Sequence, residues 1–226
     1  MNYTSFLNYF KRSDKTVTFG FGAIGIGVVF LFLGFVYSYI MYLIGGVILI
    51  FGLVLYFYGN AGRASESDLK EVIKKNLDQI QFPELKEDSK LRKRLPRVVS
   101  EEICDGYQFR KDLLIKQQKG GNAVSSEYLC AKIVTLTDAF YIKARVFSFI
   151  SDEKSEQTLE IPFSSIESIA IERDEQVFTV GKQEITARLC DLVITHDGGR
   201  RTVLHRKDDF YADELAKTMN QALRGE

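Results

Sequence analysis

Hydrophobic and polar positions divide the chain into three regimes. From Thr16 to Gly62, 47 consecutive residues include no Asp, Glu, Lys or Arg. As one helix this run would be roughly 70 Å long, more than twice a hydrocarbon core of ~30 Å. It must therefore turn back on itself. Two spans of about 20 residues fit, near Val17–Val36 and Ile40–Tyr58, with Tyr37-Ser38-Tyr39 at the bend. Tyr37, Tyr39 and Tyr42 stand at one level and Tyr56 and Tyr58 at the other, where interfacial aromatic anchors belong. A cleaved signal peptide fits badly, because the run is too long and no small-residue cleavage site follows it.

Helical periodicity then takes over. Ser65-Glu66-Ser67-Asp68 followed by Leu69, Val72, Ile73, Leu77 and Ile80 predicts a capped amphipathic helix ending at Gln81-Phe82-Pro83. Its apolar stripe either covers the following domain or lies on the bilayer surface. From Tyr107 onward the pattern alternates. Strands are expected at Tyr107–Lys116, Tyr128–Thr137, Phe140–Ile150, Gln157–Pro162, Ile166–Arg173, Arg188–His196 and Arg201–Arg206. A further short strand is expected at Gln176–Val180 or Glu184–Ala187. In Phe140–Ile150 one face, Ile142, Ala144 and Val146, is aliphatic. The other carries Tyr141, Lys143, Arg145 and Phe147, and its middle reads as wet. Asp197-Gly198 between alternating runs signals a tight hairpin, and loops this short demand antiparallel pairing. Tyr211, Leu215, Met219 and Leu223 place a closing amphipathic helix, capped by Asp208 or Asp209. The organisation is thus an N-terminal segment over 1–16, a two-helix transmembrane hairpin over 17–60, a helical and basic connector over 61–100, and a mainly β domain over 101–226.

Charge refines this picture by its placement. The 30 basic and 30 acidic residues cancel, so no global field argues for a nucleic acid polymer as partner. Lys11, Arg12 and Lys15 precede the first span, and Arg63, Lys70, Lys74 and Lys75 follow the second, while the bend has none. Positive-inside bias then puts both termini in the cytoplasm of an inner-membrane, multi-pass protein. Three cysteines, Cys104, Cys130 and Cys190, with no CxxC pair suit buried thiols in a reducing compartment. Lys90, Arg92, Lys93, Arg94 and Arg97 form a basic cluster in the connector, either solvated or facing anionic lipid. Within the spans Gly20, Gly27 and Gly34, and again Gly45, Gly52 and Gly59, recur every seventh residue. Such stripes let helices approach closely. They serve either the hairpin itself or, together with Gly22, Gly25 and Gly46, a face for oligomerisation.

The runs Ile133-Val134-Thr135-Leu136-Thr137-Asp138-Ala139-Phe140-Tyr141-Ile142 and Leu159-Glu160-Ile161-Pro162-Phe163-Ser164-Ser165-Ile166-Glu167-Ser168-Ile169 resemble bacterial PH and GRAM-type domains. Those domains pair an "LTD…LY" junction with an "IPxxxIxxI" strand pair, and some follow transmembrane segments. The resemblance covers about Ile133–Leu223. It implies a pleckstrin-homology-like, seven-stranded antiparallel curved sheet or barrel closed by a C-terminal helix, acting in binding or assembly. The wide Lys116–Tyr128 loop and the long Glu172–Arg188 region depart from that pattern. A coarser resemblance, in architecture alone, is to two-helix membrane effectors of cyclic-oligonucleotide antiphage defence, in which ligand binding drives oligomerisation.

Candidate chemistry is sparse. Gly20-Phe21-Gly22-Ala23-Ile24-Gly25 matches GxGxxG, but it lies inside an apolar helix rather than at a strand-to-helix turn, so no nucleotide role is expected. His196 and His205 flank the predicted hairpin and become neighbours only if the register pairs them. No Ser-His-Asp pattern, P-loop or HExxH occurs. The expectation is a non-enzymatic protein without cofactor or bound metal, whose partners are membrane lipid and a protein or a second copy of itself. A small anionic ligand would meet a patch of Lys143, Arg145, Arg200, Arg201 and Arg206.

Overall fold

A computed structural model describes residues 2–12, 14–82, 98–118, 120–207 and 211–225. The chain forms two compact units, Met1–Ser65 and Glu66–Glu226. In the first, helix α1 (Tyr3–Lys11) precedes α2 (Asp14–Val36) and α3 (Tyr39–Asn60). Helices α2 and α3 are long and apolar enough to cross a membrane, with mean hydropathies of 2.4 and 2.5. Only 17% and 11% of their most apolar stretches are buried, so that hydrophobicity faces outward rather than into a protein core.

The glycine stripes face each other. Gly20, Gly27, Gly34, Gly45, Gly52 and Gly59 are the buried residues of α2 and α3. A Cβ added at Gly27 would stand 2.7 Å from the Leu49 backbone nitrogen, and one at Gly52 would stand 2.7 Å from that of Ile24. Backbones this close leave room for hydrogen alone, and the gain is dispersion contact along the whole interface. Gly22, Gly25 and Gly46 have nothing within 4 Å of such a Cβ. The stripes therefore build the hairpin, and the extra glycines lie away from that seam.

Helix α1 falls in a segment expected to have no element. Phe6, Tyr9 and Phe10, at helical spacing, are its buried residues, and the Asn2 side chain caps it by accepting from Ser5 N–H. It is tied to the exit of α3: Asn8 Nδ2 donates to Gly62 O at 3.1 Å, and Arg12 Nη1 donates to Tyr58 O and Ala61 O at 3.1 and 3.0 Å. Helix α3 has no basic residue in its last turn. Arg12 supplies that missing charge at the negative end of the helix dipole. Arg63 pairs with Asp14 and lies over the Tyr9 ring.

The second unit opens with α4 (Glu66–Gln79), and its described residues continue through nine strands: β1 (Val98–Tyr107), β2 (Ile115–Gln117), β3 (Ala123–Ser125), β4 (Glu127–Leu136), β5 (Ala139–Ser148), β6 (Lys154–Pro162), β7 (Ile166–Val180), β8 (Gln183–His196) and β9 (Arg200–Arg206). Helix α5 (Ala212–Arg224) closes it. The strands form antiparallel sheets in the orders β1-β4-β5-β6, β2-β3 and β7-β8-β9. Between the two larger sheets lies a core that includes Ala131, Ile133, Phe140, Ile142, Ile161, Leu192 and Ile194. Leu215, Ala216 and Met219 of α5 complete it.

The expectation of seven strands, with a curved sheet or barrel, becomes, among the described residues, curved antiparallel sheets of nine strands in which no barrel closes. The first expected strand, Tyr107–Lys116, is misplaced. The sheet instead uses Val98–Tyr107, which straddles the expected start of the β domain at 101 and carries no expected strand because Glu101, Glu102 and Asp105 break its hydrophobic run. It is an edge strand, where one face is wet and Glu101 finds Lys132 at 3.2 Å. Expected strands Ile166–Arg173 and Gln176–Val180 are one continuous strand, as are Glu184–Ala187 and Arg188–His196. Their outer halves form a two-stranded ribbon that extends past the end of β9.

The two departures from the PH-type pattern meet. The hairpin β2–β3 lies in the wide loop, and the ribbon lies in the long one. Ile115 of the hairpin joins Phe178, Ile185 and Ala187 of the ribbon in a separate buried cluster, flanked by Phe109 and Ala123. Each hairpin alone has an apolar face too small to stand in water, and together they cover each other.

Candidate partner-binding groove

The expected anionic-ligand patch is not assembled. Lys143 and Arg145 lie on β5 of the four-stranded sheet, and Arg200, Arg201 and Arg206 lie on β9 of the three-stranded one. The face of β5 read as wet is covered by α4 and the residues after it. Lys143 Nζ donates to Gln81 O at 3.0 Å, and the Phe82 and Tyr141 rings meet edge to face at 5.8 Å. Arg145 is buried, with 8% exposure. It donates to Gln79 Oε1 at 2.7 Å, to Asn76 O at 3.4 Å and to Glu156 Oε1 at 2.9 Å. Helix α4 also lacks a basic residue in its last turn. The two cations of β5 take up the C-terminal carbonyls and dipole that the helix leaves unsatisfied. Leu69, Ile73 and Ile80 are buried, and the Cys130 thiol lies 3.9 Å from Ile73 O. The stripe of α4 therefore covers the β domain.

On β9, Arg201 is bonded to Glu172 at 2.5 Å. Arg200 and Arg206 stand at opposite ends of the strand, about 20 Å apart by strand rise. The connector cluster Lys90, Arg92, Lys93, Arg94 and Arg97, and the expected caps Asp208 and Asp209, lie outside the described residues.

The histidines do not pair with one another. His196 opposes Arg200, and His205 opposes Asp191. His196 bridges Asp197 Oδ2 at 2.9 Å and Thr202 Oγ1 at 3.0 Å, clamping the β8–β9 turn. There Asp197 takes φ 48°, and Glu167 Oε1 accepts from Gly198 and Gly199 N–H. The His196 hydrogen bond holds the Asp197 carboxyl below its usual range. His205 Nδ1 lies 2.7 Å from Asp191 Oδ1. Among the described residues no group of three or more His, Cys, Asp or Glu is arranged to hold a metal.

What the fold does create is a groove of about 1360 Å³ running from the ends of β1 and β9 along the ribbon, opposite the β2–β3 hairpin. Gln117, Gln118 and Asn122 line it from the hairpin, Glu184, Thr186 and Arg188 from β8, and His205, Arg206 and Lys207 from β9 and its exit. Its described lining carries five Lys or Arg (Lys70, Arg173, Arg188, Arg206, Lys207) and five Asp or Glu (Glu66, Asp174, Glu175, Glu184, Asp191). Arg188 meets Glu175 at 3.2 Å, and Arg173 meets Asp213 at 2.8 Å. A groove so balanced does not select for an anion by net charge.

The ends of β1 and β9 meet where it begins. Lys207 N–H donates to Asp105 O at 2.6 Å, joining the ends of β1 and β9. The strands approach so closely at Gly106 that a Cβ there would stand 2.8 Å from the carbonyl carbon and oxygen of His205. Tyr128, fully buried, donates its hydroxyl to Asp105 Oδ2 at 2.5 Å, and burial together with that carboxylate pushes its pKa up. Burial likewise pushes the Cys104 and Cys130 thiols up to about 12. All three cysteines are buried, and none forms a disulfide.

Sequence reasoning missed Glu184, Thr186 and Arg188 as site residues. Their signal was the long region Glu172–Arg188 itself, set aside as a departure from a pattern. No protein-family model, curated protein or solved structure matches this chain.

Proposed function

We propose that this is a membrane-anchored, non-enzymatic binding module. Its PH-like β domain lies on the cytoplasmic side of the inner membrane and holds a protein partner in the groove between the ribbon and the β2–β3 hairpin. The observation that carries the reading is the balance of five cations and five carboxylates among the described residues along that groove. Mixed charge at fixed positions suits a polypeptide surface, which offers both signs and fixes register through them. A lipid headgroup or nucleotide phosphate calls for converging cations, and Lys143 and Arg145 are engaged with α4 instead. The PH-like assignment is supported by strand order: a four-stranded meander interrupted by one small hairpin, then a three-stranded meander, then a helix against the core. The cytoplasmic placement rests on the basic residues flanking the two apolar helices.

The test places a photo-crosslinking amino acid at Asn122 in the full-length protein in cells. A protein-sized adduct lost on Lys207→Glu is the expected result. Two thermal-shift comparisons on the purified full chain provide the opposing outcomes: anionic against neutral nanodiscs, and added cyclic oligonucleotide. Stabilisation by the nucleotide alone, about 2.7 kcal/mol at 100 times its dissociation constant, would replace this reading with a ligand-gated effector. Stabilisation by anionic lipid without any protein adduct would replace it with headgroup recognition.

A further inference from the structure

Strand β8 has two halves with different neighbours. From Cys190 to His196 it lies between β7 and β9, and from Gln183 to Leu189 the described ladders pair it with β7 alone. The two-residue turn Gly181-Lys182, with Gly181 at φ 63°, makes Val180 and Gln183 a hydrogen-bonded pair. Antiparallel alternation then turns the N–H and C=O of Ile185, Ala187 and Leu189 toward β7. Those of Glu184, Thr186 and Arg188 turn toward the opposite edge. That is the edge along which the groove runs, and all three residues line it. The hairpin covers Ile185 and Ala187, and among the described residues no backbone hydrogen bond from it reaches Glu184, Thr186 or Arg188.

Two other sheet edges are guarded. The β6 edge ends in Pro162 and carries Lys154, and β7 carries the acids Glu167, Glu172, Asp174 and Glu175 and an irregular register against β8 near Ile166. Proline, charge and bulges are the usual means of keeping strand edges from pairing. The β8 edge, Gln183-Glu184-Ile185-Thr186-Ala187-Arg188-Leu189, has none of these guards beyond one acid and one base four residues apart. Laid antiparallel on itself about Thr186, it sets Glu184 opposite Arg188 twice and Thr186 opposite Thr186. Opposite charges and Thr–Thr pairs are favourable cross-strand partners.

We infer that the groove's partner is a second copy of this chain. The two ribbons pair along the free edge of β8 about a two-fold axis at Thr186, forming a continuous β7-β8-β8-β7 sheet. This rests on the protein-binding reading of the groove and names its occupant. Three ladder pairs, with about six backbone hydrogen bonds, join the copies. Glu184 and Arg188 set the register, since a two-residue slip removes both ion pairs. The contact is isologous, so it closes at two copies.

Charge exchange tests this in the full-length protein in detergent, with dimer dissociation read by mass photometry. Glu184→Arg and Arg188→Glu should each weaken the dimer about tenfold or more, and the double exchange should restore it to within about threefold of the parent. Thr186→Cys should cross-link to itself under mild oxidation, because directly opposed residues bring Cα atoms to about 5.5 Å. Lys182→Cys, at the turn, should not. A monomeric parent, a double exchange no better than either single one, or equal cross-linking at Lys182 overturns the inference. If the dimer fails these tests while Lys207→Glu still abolishes an adduct to a different protein at Asn122, only the identity of the occupant falls. If no protein adduct forms at all, the binding reading falls with it.

Discussion

Removing the Arg145 guanidinium should release α4 from the β domain while leaving the core intact. Arg145→Met keeps most of the aliphatic stem and deletes the charge. Charge-assisted hydrogen bonds contribute about 1.5–3 kcal/mol each. The structure gives two geometrically good ones, to Gln79 Oε1 at 2.7 Å and to Glu156 Oε1 at 2.9 Å, and a longer one to Asn76 O. The Glu156 side chain is 44% exposed, so most of its contribution is replaced by water and only a fraction is lost. The bond to Gln79 and the charge at the helix terminus remain, and together they put the loss at about 2–3 kcal/mol. Native-state hydrogen exchange should register this as a fall of roughly 30- to 150-fold in the protection of α4 amides, at about 1.4 kcal/mol per factor of ten. Amides of β7, β8 and β9 should keep their protection. Glu156→Gln should change α4 protection by less than about fivefold. Unchanged α4 amides in Arg145→Met, or a loss spread evenly over both sheets, would refute the assignment of Arg145 as the cation that holds this helix.

Other outcomes follow from single contacts. Gly27→Leu should disrupt hairpin packing and lower the thermal midpoint in detergent, whereas Gly25→Leu, which has open space, should not. Tyr128→Phe strips the half-buried Asp105 carboxylate of its donor and should cost about 1–3 kcal/mol in denaturant unfolding. Gly106→Ala forces β1 away from β9 and should cost about 1–3 kcal/mol by overpacking, measured the same way. The native state holds the Cys104 and Cys130 protons up to about pH 12, whereas the unfolded chain releases them near the ordinary value of 9.0. Stability should therefore be complete below pH 9 and fall as pH rises toward 12, a decline that Cys104→Ala should make shallower.

What the linear sequence determined is whatever depends on local pattern. An uncharged run too long for one crossing dictates two helices and a bend, and heptad-spaced glycines mark faces for close approach without saying whether they meet within the hairpin or between copies. Alternation alone placed β4 and β5 to within about two residues, and the two hydrophobic periods of α4 and α5 marked both helices. Tertiary structure decided what depends on distant partners. Val98–Tyr107 is a strand because β4 pairs with it, although its acids hide the alternation. Lys143 and Arg145 looked like ligand-binding cations because nothing local to β5 needs them. They are absorbed by a helix terminus more than 60 residues away in sequence. The groove exists because the β2–β3 hairpin and the ribbon, separated by the whole of β4, β5 and β6, share one apolar cluster. Periodicity reports how a residue faces its own element, whereas a binding surface is made where elements remote in sequence leave hydrogen bonds and charges unmatched, and that is fixed only when the chain closes on itself.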